Sequence, residues 1–273
     1  MGDLLITVAP TGAETSKDDC PQLPTTLAEL VDTAKRCENA GAAMVHVHIR
    51  DDQHQPTLDL QRLKDTVAAL RQSTDLVVQL STGGSVHDPL DDRLKVLDAQ
   101  PDSCSLTMGT TNFGDDVFLN PWPFVCDLYQ LSQERKVVPE FELFDLGHVT
   151  ALHRLLGRYG LPYGDKVHVD LVMGVPGGMP GTADALVAAV AALPDQTTSW
   201  SATGIGRSTL AVALASLSKG GHLRVGMEDV LTLARGVPVE HNDQLVSRIV
   251  ELGRIAQRTP MSPSEARTLL GMS

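Results

Sequence analysis

The chain has 273 residues, 22 Lys+Arg against 34 Asp+Glu for a formal net charge of −12, and a hydrophobic share of 42%. That composition excludes general disorder, and the anionic surplus argues against a nucleic-acid protein, whose backbone contacts need Lys and Arg gathered on one face. No apolar run approaches the roughly 18 residues of a membrane span, and the start Met1-Gly2-Asp3-Leu4 lacks the basic and apolar regions of a signal peptide.

In chain order, a β-branched run predicts a first strand over 4–9. A helix follows, with Leu27, Leu30, Val31 and Ala34 on one face, Thr26 and Glu29 in capping-box spacing, and Gly41 past its end. The alternation then repeats. Strands are predicted over 44–49, 75–80, 103–108, 137–144, 167–173, 197–203 and 223–227, and helices over 59–72, 88–98, 145–159, 182–193, 208–219 and 243–257. The helical pattern over 121–135 is weaker because Pro121 and Pro123 delay it. Eight strand–helix units predict a single-domain α/β protein, a (β/α)8 TIM barrel over 1–273 with a C-terminal helical tail from about 241. A doubly wound open sheet is the alternative. It would need a Gly-rich phosphate turn after its first strand, where Pro10-Thr11-Gly12-Ala13-Glu14 stands instead. Cys20, Cys37, Cys104 and Cys126 form no CxxC pair, so reduced thiols in the cytoplasm are expected.

Polar residues gather where the predicted strands end, the rim on which barrel enzymes build their sites. His46 and His48 are two apart on a strand and face the same way, which suits a divalent transition metal such as Zn²⁺ with Glu228 completing the set. A pair of satisfied histidines in a polar interior is the alternative. Glu140 and Glu142 share one strand face and can act as acid and base, bind a cation or pair with a neighbouring Arg or Lys. Ser81-Thr82-Gly83-Gly84 offers hydroxyls and backbone amides to a carboxylate or oxyanion, or is simply a turn that needs glycine. Strand four supplies Thr107 and then Asn112. Gly204-Ile205-Gly206-Arg207 opens the seventh helix, where barrels commonly hold phosphate, making Gly204, Gly206 and Arg207 candidate cofactor contacts. His168 falls early in its strand, where core packing or a hydrogen bond is expected.

Five strings resemble, in order from the first strand to the eighth, those of the β-keto acid cleavage enzymes. They are Ile6-Thr7-Val8-Ala9-Pro10-Thr11-Gly12-Ala13-Glu14-Thr15, Ala40-Gly41-Ala42-Ala43-Met44-Val45-His46-Val47-His48-Ile49-Arg50-Asp51, Ser81-Thr82-Gly83-Gly84, Pro139-Glu140-Phe141-Glu142-Leu143-Phe144-Asp145 and Arg224-Val225-Gly226-Met227-Glu228-Asp229. The resemblance implies a Zn²⁺-dependent barrel, a homotetramer, and a transferase reaction in which a β-keto acid and acetyl-CoA give acetoacetate and a new acyl-CoA. It matches His46, His48 and Glu228 to metal ligands and Arg224 and Asp229 to the pair that activates the keto acid, with Ser81 beside them. Thr107 and Glu142 match supporting positions; Glu142 is the proton carrier if Arg224 only stabilises charge. Thr82, Gly83, Gly84, Asn112 and Glu14 are candidate substrate contacts. The Ala13-Glu14-Thr15 version is similar to the aminohexanoate type, implying 3-keto-5-aminohexanoate from lysine fermentation as substrate and 3-aminobutyryl-CoA as product. Cys20, where a polar residue is expected, and Gly109-Thr110-Thr111-Asn112, with Thr where Ser is expected, depart from the pattern, with consequences for pocket shape and not for the metal site. A metallohydrolase barrel would need further histidines, for which only His168 is available, and a non-catalytic ligand-binding barrel would be expected to lose this polar set.

Overall fold

The computed structural model describes residues 2–272. Eight parallel strands close into a barrel: β1 (Ile6–Val8), β2 (Met44–Val47), β3 (Val77–Leu80), β4 (Ser103–Thr107), β5 (Val138–Leu143), β6 (Val167–Met173), β7 (Thr197–Gly204) and β8 (His222–Val225). Each strand pairs with its sequence neighbours, and β8 pairs with β1 through Thr7 opposite Arg224. The single (β/α)8 barrel expected from the alternation is what forms.

The helices are α1 (Leu27–Ala40), α2 (Leu60–Ser73), α3 (Leu90–Lys95), α4 (Trp122–Arg135), α5 (Leu146–Tyr159), α6 (Ala183–Ala192), α7 (Thr209–Lys219), α8 (Asn242–Ile255) and α9 (Pro263–Leu270). The Thr26–Glu29 capping box starts α1, and Gly41, at φ 113°, ends it. In α4 the prolines help rather than hinder. Pro121 is the N-cap and Pro123 lies in the first turn, where a missing N–H breaks no helical bond. The helix expected over 88–98 is shorter, because after α3 the chain tightens into a 3₁₀ turn at Val96–Ala99 and Gln100 turns left-handed at φ 56°.

Three short hairpins escape the periodicity: Ile49–Arg50 with Pro56–Thr57, Thr111–Phe113 with Asp116–Phe118, and Thr232–Ala234 with Val237–Pro238. Runs of two or three residues carry too little alternation to be read from sequence. The first of them also stops β2 at Val47, so His48 lies just beyond the strand.

Strand alternation divides the core into two layers. Val45, Val47, Phe141, Leu143, Val169 and Leu171 pack outward with the helices. The intervening residues line a polar interior, in which His46 faces Gln79, Thr107 and Asp170 face Glu142, and Thr203 faces Arg224 in register. Below the strand starts, Ala266 and Leu270 of α9 pack on Leu5, Met44, Val77 and Val138 and close the barrel floor. Leu4 bridges to Pro260, and Arg258 donates to the Gly2 and Asp3 carbonyls, so this segment is stitched to the first strand. All four cysteines are buried and unpaired. Among the described residues no helix is long and apolar enough to cross a membrane.

Candidate active site

A cavity of about 360 Å³ opens at the C-terminal ends of the strands, the size of a site for a small metabolite. His46, His48, Glu228, Arg224, Asp229 and Glu142 lie at its base. His46 and His48 arrive from the end of β2, and both Nε2 atoms face Glu228 Oε1, at 3.8 and 3.7 Å. One ligand atom from each of the three falls within 4.8 Å of the others. The Glu228 Oε2 atom is buried without a hydrogen-bond partner, a group that a cation would satisfy. Burial, reinforced by Arg224, holds His46 down at about 4, so it is neutral, as a metal ligand must be. Burial works against the Glu228 carboxylate, but its cationic surroundings, Arg224 first, outweigh it and hold the group at about 2. Two neutral imidazoles and one carboxylate form a donor set suited to a divalent metal, with room left for a further ligand.

Gly12 makes this approach possible. It sits at φ 65°, and a Cβ there would lie 2.6 Å from Glu228 Cγ. Gly12→Ala is therefore expected to push Glu228 aside and lower kcat/KM by about 100-fold with the fold intact, measurable by kinetics beside a melting curve. Wild-type kinetics from a correctly folded variant would contradict this close fit.

Arg224 is the hub beside that cluster. It donates to Glu142 Oε1 at 3.1 Å, to Asp229 Oδ1 at 2.9 Å and to Glu228 Oε1. Surrounding carboxylates overcome the penalty of burial and raise the guanidinium well above its ordinary value, so it stays charged. Burial pushes Glu142 and Asp229 up to about 7 against the pull of Arg224. Glu142 also accepts from Thr107 Oγ1 at 2.9 Å, which fits the supporting position expected of Thr107. A carboxyl poised near neutrality can take or give a proton under ordinary conditions.

Around the rim, Glu14 stands exposed on the loop after β1, where partial burial raises its carboxyl and nearby His87 opposes the rise. Arg50 pins that loop through the Gly12 and Thr15 carbonyls. Ser81, Gly83 and Gly84 line the cavity, with the Gly83 N–H donating to Ser81 Oγ.

Thr82, expected as a substrate contact, is not among the lining residues: its hydroxyl is buried and donates to the Ser105 carbonyl at 2.6 Å. Asn112 is exposed on the Thr111–Phe113 strand, outside the lining, while Phe113 and Gly114 face the cavity. Gly204, Gly206 and Arg207 lie outside the cavity lining. Gly204 lets Ser208 and Thr209 close in, Arg207 is exposed, and Ile205 is the lining residue of that turn. His168 lies deeper, bonded to Ser199 and Ser201 and 3.1 Å from Glu140, apart from the three-residue cluster.

Sequence reasoning missed the apolar wall. Phe113, Phe118 and Phe144 meet edge to face at 6.0–6.3 Å, and Val175 and Pro176 extend their surface. The available signal was scarcity: of only five Phe, Phe144 ends the predicted strand that carries Glu142, and Phe113 and Phe118 follow the strand that carries Thr107.

A parallel barrel that gathers charged groups from several strands around one cavity at this rim is an enzyme's architecture. The chain belongs to the beta-keto acid cleavage enzyme family, whose profile matches residues 3–272. It is 36% identical, over the full length of both chains, to 3-keto-5-aminohexanoate cleavage enzyme of Acetoanaerobium sticklandii. It is 32% identical to 3-oxoadipate:acetyl-CoA acetyltransferase of Cupriavidus necator, covering 98% of this chain and 94% of the relative. Among solved structures, apo ObcA superposes with a TM-score of 0.76 at 21% identity, over 92% of this chain and 66% of that one, a likeness of fold.

Proposed function

We propose that the protein is a Zn²⁺-dependent transferase that condenses a β-keto acid bearing a cationic tail with acetyl-CoA. Its best-fitting substrate is 3-keto-5-aminohexanoate, and the products are acetoacetate and 3-aminobutyryl-CoA. The observation that carries this reading is the placement of His46, His48 and Glu228 directly beside the Arg224 ion-pair hub, in one cavity. The names of the relatives support the reaction class, and Glu14 at the rim supports the tail charge.

Zn²⁺ held by His46, His48 and Glu228 would supply Lewis-acid polarisation of the keto and carboxylate oxygens. The chain's own groups do the rest. Glu142 removes a proton from the carbon between the keto and carboxylate groups, and Arg224, oriented by Asp229, stabilises the resulting negative charge. That carbon attacks the acetyl thioester and the CoA thiolate leaves. The thiolate then attacks the original ketone, and cleavage of the bond between that carbonyl and the substituted carbon gives the new thioester. The departing acetoacetate carbanion takes a proton back from Glu142. Ser81 Oγ and the Gly83–Gly84 backbone, which also line the cavity, offer polar contacts to the keto acid. Phe113, Phe118 and Phe144 offer an apolar surface to the carbon chain of the keto acid.

Purified protein incubated with Zn²⁺, acetyl-CoA and 3-keto-5-aminohexanoate is expected to yield 3-aminobutyryl-CoA and acetoacetate by mass spectrometry. No new thioester would discard that substrate. A new thioester from neutral β-keto acids alone would mean that the phenylalanine wall, not Glu14, selects the tail. With the cationic substrate, Glu14→Gln is expected to lower kcat/KM by about 10-fold, and with a neutral analogue by much less. Equal losses would refute the charge assignment.

A further inference from the structure

Beneath the cavity lies a second set of buried polar groups with no part in the reaction outlined above, and one of them touches His46. The Nδ1 atom of His46 is 2.6 Å from Gln79 Oε1, the two residues sitting opposite each other in register on β2 and β3. At its other end the amide meets Ser103 Oγ at 3.1 Å and Glu140 Oε1 at 3.3 Å. Gln79 is fully buried, so water cannot stand in for any of these partners. A carboxylate only accepts. Burial works against the charge of Glu140, but His168, whose Nε2 lies 3.1 Å from the other carboxylate oxygen, outweighs burial and keeps Glu140 below its ordinary value, as a carboxylate. An amide turned the other way would set its oxygen against that carboxylate and its nitrogen against His46. The Gln79 nitrogen therefore faces Glu140, and its oxygen faces His46. An amide oxygen never donates, so the ring nitrogen opposite it carries the proton. In a neutral imidazole this leaves the lone pair on Nε2, the atom that faces Glu228.

We propose that Gln79 is a positioning residue that fixes His46 as the Nδ1–H tautomer with its Nε2 lone pair aimed at the metal position, Glu140 fixing the amide in turn. The inference rests on the metal-binding reading of the site. A His46 ring without this partner can carry its proton on either nitrogen, and the Nε2–H form cannot ligate through Nε2. Loss of such a partner behind a ligating histidine lowers metal affinity by about 10- to 100-fold.

The test combines nitrogen-15 NMR of the metal-free protein with Zn²⁺ competition against a chromogenic chelator, the His46 signal being assigned by its loss in His46→Asn. The wild type is expected to show the Nδ1–H tautomer. Gln79→Met is expected to show a mixture and to bind Zn²⁺ about 10- to 100-fold more weakly. Gln79→Glu combined with Glu140→Gln, which keeps an acceptor opposite Nδ1 and an amide donor behind it, is expected to recover the Nδ1–H signature. A wild-type His46 protonated on Nε2 overturns the proposal, as does a Gln79→Met protein that binds Zn²⁺ as tightly as wild type. Should Gln79→Met not fold, the wild-type spectrum decides by itself. Wild-type protein with the Nδ1–H tautomer and no Zn²⁺ affinity would overturn the metal reading while supporting the hold of Gln79 on His46.

Discussion

His48→Ala is expected to abolish bound Zn²⁺ and turnover together. The variant keeps its fold, since His48 lies just beyond β2 at the edge of the cavity and no barrel strand depends on it. It removes one of three donors, and the remaining His46 and Glu228 leave a site with two. Lewis-acid stabilisation of developing negative charge is worth several kcal/mol, so kcat is expected to fall by about 10³-fold. Metal content by mass spectrometry, read beside kcat on the same preparation, checks the claim. A variant that is free of metal yet active would refute the assignment of these residues.

Arg224→Met is expected to cost both stability and activity, and the stability loss carries a pH signature. The substitution leaves Glu142, Glu228 and Asp229 converging without their shared cation. Removing one partner of a buried ion pair costs about 3–5 kcal/mol, equivalent to roughly 10 °C in Tm for a chain of this size. Burial already pushes Glu142 and Asp229 up to about 7 with the guanidinium present; without it both rise further. A carboxyl whose folded pKa lies above its unfolded value of about 4 stabilises the fold in acid and loses that contribution as pH rises through the folded pKa. The Tm deficit of Arg224→Met is therefore larger at pH 8 than at pH 5. Activity falls by about 10²- to 10³-fold, the usual effect of removing a preorganised charge-stabilising donor. Equal Tm deficits at the two pH values would rule out carboxylate repulsion as their cause.

How far the sequence foretold this site depends on how each residue reaches it. His46, Glu142 and Arg224 were legible because strand alternation alone turns them inward, and alternation is written in the order of residues. Gly12 and Glu228 meet across a gap that only the closed barrel defines, so their near-contact has no local signature. Thr82 and Asn112 lie outside the lining for a related reason. Both are polar and sit beside true lining residues, but one turn buries Thr82 against Ser105 and an unforeseen hairpin points Asn112 away. The phenylalanine wall depends on that same hairpin. Fold class is legible because eight repeated units must agree, whereas the course of a single loop has no second copy to reinforce it.

Leu5, Met44, Val77 and Val138 remain uncovered until Ala266 and Leu270 dock, although these two residues follow every strand of the barrel in sequence. A chain emerging from the ribosome can thus have synthesised all eight strands and still expose part of its core. Assembly of this barrel is in that sense completed from behind: the segment that never approaches the substrate determines when the nascent protein stops offering apolar surface to chaperones and proteases.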